Sequence, residues 1–424
     1  MNNELVVNKF GGSSLANTNC YARVAKIIGT HLGNNDWIVV SASGKTTDKL
    51  TTIYQLSLID EQLATTELAE LIEYQRSLLA SVLDTPDNLI HQLEQDQLIL
   101  DDKITTQKQA RHSECEYVCY GEIWSAKLMT QLVKSLGKSA CFVNATDILS
   151  LGERCVDLKH SYSRLEQSGL LYESGIKVVT GFIASDANGK VTTLGRNGSD
   201  FSASLFASLI SAQRLEIWTD VKGVFSSDPR VVKNAIWFES IDWYQADAMA
   251  RAGSKILHPE TLSPLKLDDC QVIVRSSLQP EQSGTKITKT SGHTRAFASF
   301  AADYGLVENI SGSVFETRHI AFGKDVLGNN QILIFPEYKR KLTHLGVQTV
   351  SIALIGYTNT EEVIQVEQLI GGYKQRIELA RSCVLYILDE AISESKSVKI
   401  HASLVSRKLM GGVNSIDKSL CILE

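Results

Sequence analysis

Apolar runs of strand length alternate with stretches of helical periodicity from the N-terminus to about residue 290, and this alternation constrains the fold most. Val6 to Phe10 has the pattern of a buried strand, and apolar positions from Tyr21 to Leu32 recur at helical spacing. Trp37 to Val40 is a second strand candidate. A strand–helix–strand order requires parallel pairing through a right-handed crossover. The sequence therefore predicts an α/β sandwich with a mainly parallel central sheet of at least seven strands.

Long helical regions separate these first strands from the next ones. Residues 55–110 are rich in leucine and glutamate and contain no glycine, so they suit a helical hairpin that turns near residues 84–87. A further helix is expected from about Ser113 to Leu136, and it carries Glu122. Additional strands are predicted at residues 140–143, 177–182, 191–194 and 215–218.

The character of the chain changes near residue 285, where Ser283, Gly284 and Thr285 indicate a linker. Residues 1–290 are therefore predicted to form the larger domain. Residues 291–424 are predicted to form an α+β region of shorter elements, as one domain or as two small ones. In this second part the predicted elements are strands at residues 331–335, 350–355 and 383–388 and a helix at residues 361–379.

Composition restricts the class of partner. The formal net charge of -6 argues against nucleic acid or an anionic membrane, and no apolar stretch approaches the roughly 20 residues that span a bilayer. The eight cysteines are scattered without a C-x-x-C pair, and the N-terminus has no basic leader. These features predict a cytoplasmic protein with reduced thiols and no metal bound by a cysteine or histidine motif.

The first candidate binding segment directly follows the first strand. Gly11 and Gly12 form a strand-to-helix turn whose amides can face an anion, and Ser13 comes next. Lys9 ends an otherwise apolar strand, so its ammonium group must either reach solvent or meet an anion. Beside two glycines, a phosphate is the simpler partner.

A second glycine turn precedes the helical run from Phe201 to Ile210. Arg196 has the fork geometry that grips a carboxylate or phosphate, and Asp200 suits a substrate ammonium or the orientation of a lysine. The structural alternative is that Ser199 or Asp200 only caps the helix, and this role is compatible with binding.

Other segments carry weaker signals. Gly44-Lys45-Thr46 is not a P-loop, because Val39 stands where that motif requires glycine. Ser41 and Thr47 nevertheless follow the carboxyl end of a predicted strand, where α/β sheets bind ligands. The remaining candidates are Thr219 and Asp220 after the strand at 215–218, Arg230 in a turn, and Lys255 after Gly253.

These segments together resemble the aspartokinases of the amino-acid kinase superfamily. The motifs that carry the resemblance are K-F-G-G-S-S-L from Lys9, V-V-S-A-S-G-K-T-T from Val39, Gly121-Glu122, L-G-R-N-G-S-D-F-S-A from Leu194, Trp218 to Arg230, and K-I-L-H-P-E-T-L from Lys255. The chain is most similar to the kinase portion of bifunctional aspartokinase–homoserine dehydrogenases of the methionine-pathway type. No G-x-G-x-x-G fingerprint occurs, so either a monofunctional enzyme or a fragment is expected.

The resemblance implies the three-layer amino-acid kinase fold and ATP-dependent phosphorylation of the side-chain carboxylate of L-aspartate. It implies that Lys9 and Asp200 act at the reacting groups. It implies a substrate site formed by Ser41, Thr47, Glu122, Arg196 and Ser199. The implied nucleotide site comprises Lys9, Gly11, Gly12, Ser13, Thr219, Asp220, Phe225, Arg230, Lys255 and Ile256. Mg²⁺ is expected to arrive with ATP rather than on protein ligands of its own.

The resemblance also implies an ACT-like regulatory region over residues 291–424, a homodimer or larger homo-oligomer built through it, and a place in lysine, threonine and methionine biosynthesis. Phe225 stands where many relatives carry tyrosine, so ring stacking without a hydroxyl hydrogen bond is expected there. The alternatives are another amino-acid kinase that acts on glutamate-type substrates and a catalytically silent regulatory subunit. Intact Lys9, Arg196, Asp200 and Lys255 favour an active enzyme.

Overall fold

The chain forms two compact units, seen in a computed structural model. The first unit comprises Met1–Val224, Glu239–Asp242 and His258–Lys289, and the second comprises Phe225–Phe238, Trp243–Leu257 and Thr290–Glu424. The structure describes residues 4–152, 155–195, 197–227, 229, 232, 235–251, 259–265, 270–289, 297–308, 320–325, 330–334, 347–355, 360–373, 375–380, 383–388 and 393–406. The domain boundary at residue 290 stays a prediction.

A mainly parallel sheet organises the first unit. Its strands and the small hairpin beside it are β1 (Val6–Phe10), β2 (Trp37–Val40), β3 (Ala140–Val143), β4 (Ile176–Thr180), β5 (Ile183–Ser185), β6 (Val191–Thr193), β7 (Arg214–Thr219), β8 (Ser240–Asp242), β9 (Gln271–Ser276) and β10 (Thr285–Thr288). Eight strands form one sheet in the order β3-β4-β2-β1-β7-β9-β10-β8, and β5 pairs with β6. Every neighbouring pair in the sheet is parallel except β9–β10. The prediction of at least seven mainly parallel strands is confirmed.

Helices cover both faces of this sheet. Those of the first unit are α1 (Thr18–His31), α2 (Thr46–Ser57), α3 (Glu61–Val82), α4 (Asp87–Ala110), α5 (Cys115–Ser135), α6 (Leu158–Gln167), α7 (Gly198–Leu209) and α9 (Pro259–Leu262), whereas α8 (Trp243–Arg251) belongs to the second unit. Helices α1–α5 share a buried core with Phe10, Val40 and Val178. On the other face, the ring of Phe206 in α7 stacks on Trp37, with 5.7 Å between centroids. The result is a three-layer α/β sandwich, and the predicted helical hairpin is α3 with α4.

The described strands of the second unit form a closed barrel. They are β11 (Phe297–Glu308), β12 (Ile320–Asp325), β13 (Asn330–Ile334), β14 (Val347–Ile355), β15 (Gln375–Ala380) and β16 (Cys383–Leu388), in the order β11-β13-β12-β15-β16-β14. The helices Thr360–Ile370 and Glu394–Ser406 share a buried core with β14 and β16. The prediction of one helix over 361–379 is wrong, because Gly371 and Gly372 adopt positive φ angles that end the helix and β15 follows.

A buried hydrogen bond ties the early segment of the second unit to its last described helix. The hydroxyl of Ser226 lies 2.7 Å from Nε2 of His401, and both side chains are almost fully buried. The same hydroxyl accepts a hydrogen bond of 2.9 Å from the amide of Ile236. In the part of the chain that the structure describes, no helix is long and apolar enough to cross a membrane.

Ser226→Ala is expected to weaken this anchor. The substitution removes the acceptor of the Ile236 amide and the partner of a buried imidazole, and each such loss costs about 1–3 kcal/mol. Native-state hydrogen exchange should show a loss of protection at the Ile236 amide. Ser397→Ala is the matched control, since its buried hydroxyl donates a hydrogen bond to the carbonyl of Ser393, the residue just before its own helix. Equal protection of Ile236 in wild type and Ser226→Ala would contradict the expectation.

Candidate active site

The parallel strands bring several polar turns to one edge of the sheet. Phe10 is in register with Val40 on one side and with Trp218 on the other, and Val40 is in register with Thr180. The strands β1, β2, β4 and β7 therefore end side by side. The turns that follow them are numbered in chain order: the first turn begins at Gly11, the second at Ser41, the third at Gly181 and the fourth at Asp220. Ligands of parallel α/β sheets bind at this carboxyl edge.

A buried ion pair stands at the centre of this edge. Nζ of Lys9 lies 2.6 Å from Oδ1 of Asp200, and the two side chains are only 10% and 14% exposed. Lys9 is the fourth residue of β1, and Asp200 lies in the first turn of α7, where the helix dipole favours a carboxylate. The structure thus brings these two candidate residues together, and each charge offsets the desolvation of the other.

Glu122 is a third ionisable group, in the electrostatic environment of Lys9. It projects from α5 and is 2% exposed. Burial raises the pKa of its carboxyl to about 8, while a backbone hydrogen bond from Ala42 and the charge of Lys9 act in the opposite direction. Oε2 of Glu122 has no hydrogen-bond partner among the described residues. Because an unpartnered buried carboxyl is costly, a cation or donor arriving in this place would be strongly favoured.

Gly12 lets the first turn pack its backbone against that of the second turn, and Gly11 leaves room beside Lys9. A Cβ atom on Gly12 would lie 2.9 Å from the carbonyl oxygen of Ala42 and 3.1 Å from that of Gly44. A Cβ atom on Gly11 would lie 3.2 Å from Nζ of Lys9. The ammonium group of Lys9 therefore stands next to bare backbone, a combination that suits a phosphate. Ser13 follows on the exposed side of the turn.

The third turn is built in the same way. A Cβ atom on Gly181 would lie 2.6 Å from the carbonyl oxygen of Val40 and 2.7 Å from Cβ of Ser199. Only glycine fits there, so Ser199 at the start of α7 packs directly against the end of β2. Asn197, which precedes α7, has a left-handed φ of 51°. The start of α7 is thereby held near the strand ends.

Ser41 and Thr47 flank the second turn and are both half-buried. The amide of Ser41 donates a hydrogen bond of 3.1 Å to the carbonyl of Phe10. Thr47 is the second residue of α2. Both lie on the same segment as Ala42, whose amide contacts Glu122, so the structure brings these three predicted substrate residues to one neighbourhood.

The remaining predicted nucleotide residues and the predicted substrate residue Arg196 fall into three groups. Thr219 ends β7, and its carbonyl accepts hydrogen bonds from the amide and hydroxyl of Ser277, at 2.7 and 3.0 Å. Asp220 follows and is exposed, whereas Phe225 belongs to the second unit. Arg196, Arg230, Lys255 and Ile256 lie outside the described residues, so their placement stays a prediction.

Several participants were not predicted. The hydroxyls of Ser14 and Ser277 share a hydrogen bond of 3.1 Å that joins the first turn to the end of β9. The hydrogen bond from the Ala42 amide to Glu122 and the close packing at Gly181 were also not predicted. A sequence signal existed for Gly181, since it follows an apolar strand just as Gly11 does, but neither Ala42 nor Ser277 carries a motif of its own. Within the described ranges, no group of three or more His, Cys, Asp and Glu side chains could hold a metal ion.

Comparison with known proteins agrees with this geometry. A sequence profile of the Amino acid kinase family matches residues 4–276. The chain is 36% identical over 293 residues to bifunctional aspartokinase/homoserine dehydrogenase 2 of Escherichia coli K12, which covers 67% of this chain and 35% of that protein. It is 30% identical over 312 residues to lysine-sensitive aspartokinase 3 of the same organism, which covers 70% of this chain and 67% of that protein. The chain thus spans about a third of the length of the bifunctional relatives that it matches.

A solved structure shows a similar fold over nearly the whole chain. A crystal structure of E. coli aspartokinase III in complex with aspartate and ADP superposes with a TM-score of 0.78 at 23% sequence identity. The alignment covers 95% of this chain and all of that one. At this level of identity the likeness concerns the fold alone.

Glu122→Gln is expected to remove a loss of folding stability that the wild type undergoes as the pH rises. The folded chain keeps the Glu122 proton up to about pH 8, whereas the unfolded chain releases it near the ordinary value of 4.5. Between these values the unfolded chain binds fewer protons, so wild-type stability falls as the pH rises, by at most about 5 kcal/mol. Urea unfolding at pH 5.5, 7 and 8.5 should show a stability gap, variant minus wild type, that widens with pH.

Glu116→Gln is the control on the same helix. Burial would raise the pKa of Glu116, but hydrogen bonds from the Ser113 amide and Lys103 outweigh it and hold that pKa at about 2. The Glu116 carboxyl is therefore ionised in both states across the tested range. Its variant should leave the pH slope unchanged, and a constant gap for Glu122→Gln would refute the assignment of a buried neutral carboxyl.

Proposed function

Because the chain belongs to the amino acid kinase family, we propose that it is an aspartate kinase, which transfers the γ-phosphoryl group of ATP to the side-chain carboxylate of L-aspartate. The observation that carries this proposal is a group of three buried ionisable side chains near the carboxyl edge of the sheet, the ion pair of Lys9 with Asp200 and the neutral carboxyl of Glu122. The similarity to two aspartokinases supports the choice of aspartate as the acceptor.

Lys9 serves the transfer by compensating negative charge. In the reaction a carboxylate oxygen of aspartate forms a bond to the γ-phosphorus and the bond to the β–γ bridging oxygen breaks, which leaves ADP. The acceptor is already ionised at neutral pH, so no general base is needed, and catalysis depends on positioning and on positive charge near the phosphoryl oxygens. Asp200, 2.6 Å from Nζ of Lys9, keeps that ammonium oriented.

Glu122 serves the amino-acid end of the substrate. The α-ammonium group of aspartate would supply the cation that the buried carboxyl lacks, and its arrival would release the proton of Glu122 to solvent. Arg196 is proposed to bind the α-carboxylate with two hydrogen bonds. Ser41, Thr47 and Ser199 are proposed to complete the contacts to aspartate.

The nucleotide is proposed to bind through its phosphates to the first turn. Lys9 and the bare backbone of Gly11 and Gly12 fit a phosphate, since any Cβ atom there would fill the space. Ser13, Thr219, Asp220, Phe225, Arg230, Lys255 and Ile256 are proposed to line the rest of the nucleotide site. Mg²⁺ would enter on the phosphate oxygens of ATP and neutralise part of their charge.

The wider setting follows from the same family. We propose that the second unit contains ACT-like regulatory modules and supports a homodimer or larger homo-oligomer. We further propose a cytoplasmic enzyme that acts early in lysine, threonine and methionine biosynthesis, where an aspartyl phosphate is the activated intermediate.

Incubation with ATP, Mg²⁺ and aspartate is expected to yield an acyl phosphate. Hydroxylamine converts such a product to a hydroxamate that is measured by its iron complex. Blanks without aspartate and without ATP are the controls. A hydroxamate signal no greater than the blanks would refute the proposed activity. A stronger signal with glutamate than with aspartate would select a glutamate-type kinase instead.

Lys9→Ala is expected to lower kcat by about 100-fold or more, with a change in KM for aspartate of less than about threefold. This pattern marks a contact made mainly in the transition state. Lys177→Ala is the matched control, because Lys177 is also a buried lysine in a strand of this sheet but lies at the amino end of β4, away from the carboxyl edge, and donates a hydrogen bond to the carbonyl of Glu173. A large rise in KM with unchanged kcat would make Lys9 a binding residue only.

A further inference from the structure

A buried polar network stands behind the second turn. The hydroxyl of Tyr21 in α1 lies 2.9 Å from the hydroxyl of Ser43 and 3.4 Å from that of Ser125 in α5. Tyr21 is fully buried, and Ser43 and Ser125 are nearly so. Burial raises the pKa of Tyr21 to about 12, so its hydroxyl stays protonated at neutral pH.

A second buried side chain reaches the same turn from α3. Nε2 of Gln75 donates a hydrogen bond of 2.8 Å to Oγ1 of Thr46, which in turn donates one of 2.6 Å to the carbonyl of Ser43. The amide of Thr46 bonds the same carbonyl at 3.2 Å. Ser43 is therefore held at its hydroxyl by Tyr21 and at its carbonyl by Thr46, which Gln75 fixes.

The position of Ser43 decides that of its neighbours in the chain. Ala42, the preceding residue, packs against α5 beside Glu122, where a Cβ atom on Gly121 would lie 2.9 Å from Cβ of Ala42, and its backbone hydrogen bond acts to lower the pKa of the Glu122 carboxyl. The amide of Gly44, the following residue, donates a hydrogen bond of 3.1 Å to the carbonyl of Gly12. A small displacement of Ser43 would consequently move both the partner of Glu122 and the contact with the first turn.

We propose that Tyr21 and Gln75 are positioning residues for the amino-acid substrate, which fix the second turn so that the Ala42 amide holds Glu122 where its unpartnered carboxyl oxygen can accept a hydrogen bond from an α-ammonium group. The inference rests on the proposed function. Neither side chain needs to touch the substrate, since both act through Ser43 and Thr46. Preformed geometry of this kind lowers the cost of ordering a site at the moment of binding.

Tyr21→Phe and Gln75→Met test the proposal, because each removes the polar contact and keeps most of the volume. Each variant is expected to raise KM for aspartate by about tenfold, with less than about a twofold change in kcat and in KM for ATP. The double variant should raise KM by less than the product of the single effects, because both side chains hold the same residue.

Tyr117→Phe and Gln107→Met are the matched controls. The hydroxyl of Tyr117 donates a hydrogen bond of 3.1 Å to Gln107, and both residues are buried between α4 and α5. These variants lose contacts of the same chemical kind away from the turn, so KM for aspartate should stay within about twofold of wild type. If they raised KM as much as Tyr21→Phe does, the effect would reflect general loosening and the proposal would fall.

Hydrogen exchange of the ligand-free chain separates this inference from the proposed function. The amides of Gly44 and Thr46 should exchange faster in Tyr21→Phe and Gln75→Met than in wild type and the two controls. This measurement remains informative if the wild type forms no aspartyl hydroxamate. Unchanged exchange at both amides would overturn the positioning role whatever the activity assay shows.

Discussion

The ion pair between Lys9 and Asp200 is the interaction on which the candidate site depends. Two opposite charges are held 2.6 Å apart with little exposure to water, where removal of either partner leaves an uncompensated charge. Glu122 stands nearby and meets the same low-dielectric environment by keeping its proton. In the free chain the ammonium group of Lys9 is therefore paired with Asp200, and the carboxyl of Glu122 is neutral. A ligand with a phosphate at one end and an ammonium group at the other would bring a negative charge to Lys9 and a positive charge to Glu122.

The sheet makes this arrangement possible because it brings distant turns together without long loops. Parallel strands end at the same edge, and glycine at Gly12 and Gly181 allows the turns to approach within contact distance of neighbouring carbonyls. Side chains at these two positions would separate the turns. The charged groups then lie on the ends of rigid strands and helices, which position them more accurately than long loops would.

Local features of the sequence were sufficient to predict much of this. The strand before Lys9, the glycine turn after it and the long helix that carries Glu122 follow from patterns of only a few residues. The ion pair with Asp200 could not be derived in that way, since it depends on where α7 packs against β1. The predicted helix over 361–379 failed for a local reason, the glycine pair that begins at Gly371. The barrel could not be foreseen, because its closure depends on pairings between strands far apart in the chain, such as β11 with β14.

A buried carboxylate that binds a substrate ammonium group cannot have all of its oxygen lone pairs occupied by hydrogen bonds from the protein. If Glu122 were fully satisfied by protein donors, its pKa would fall and no oxygen would remain for a substrate ammonium. The rigidity of its surroundings must therefore come from neutral groups that do not compete for the charge. Tyr21 and Gln75 meet that requirement, since they act on Ser43 and Thr46 and leave Oε2 of Glu122 without a partner among the described residues. The favourable free energy of pairing Glu122 is thereby left for the ligand to supply, whereas the hydrogen bonds of Tyr21 and Gln75 to Ser43 and Thr46 hold the site in its binding geometry.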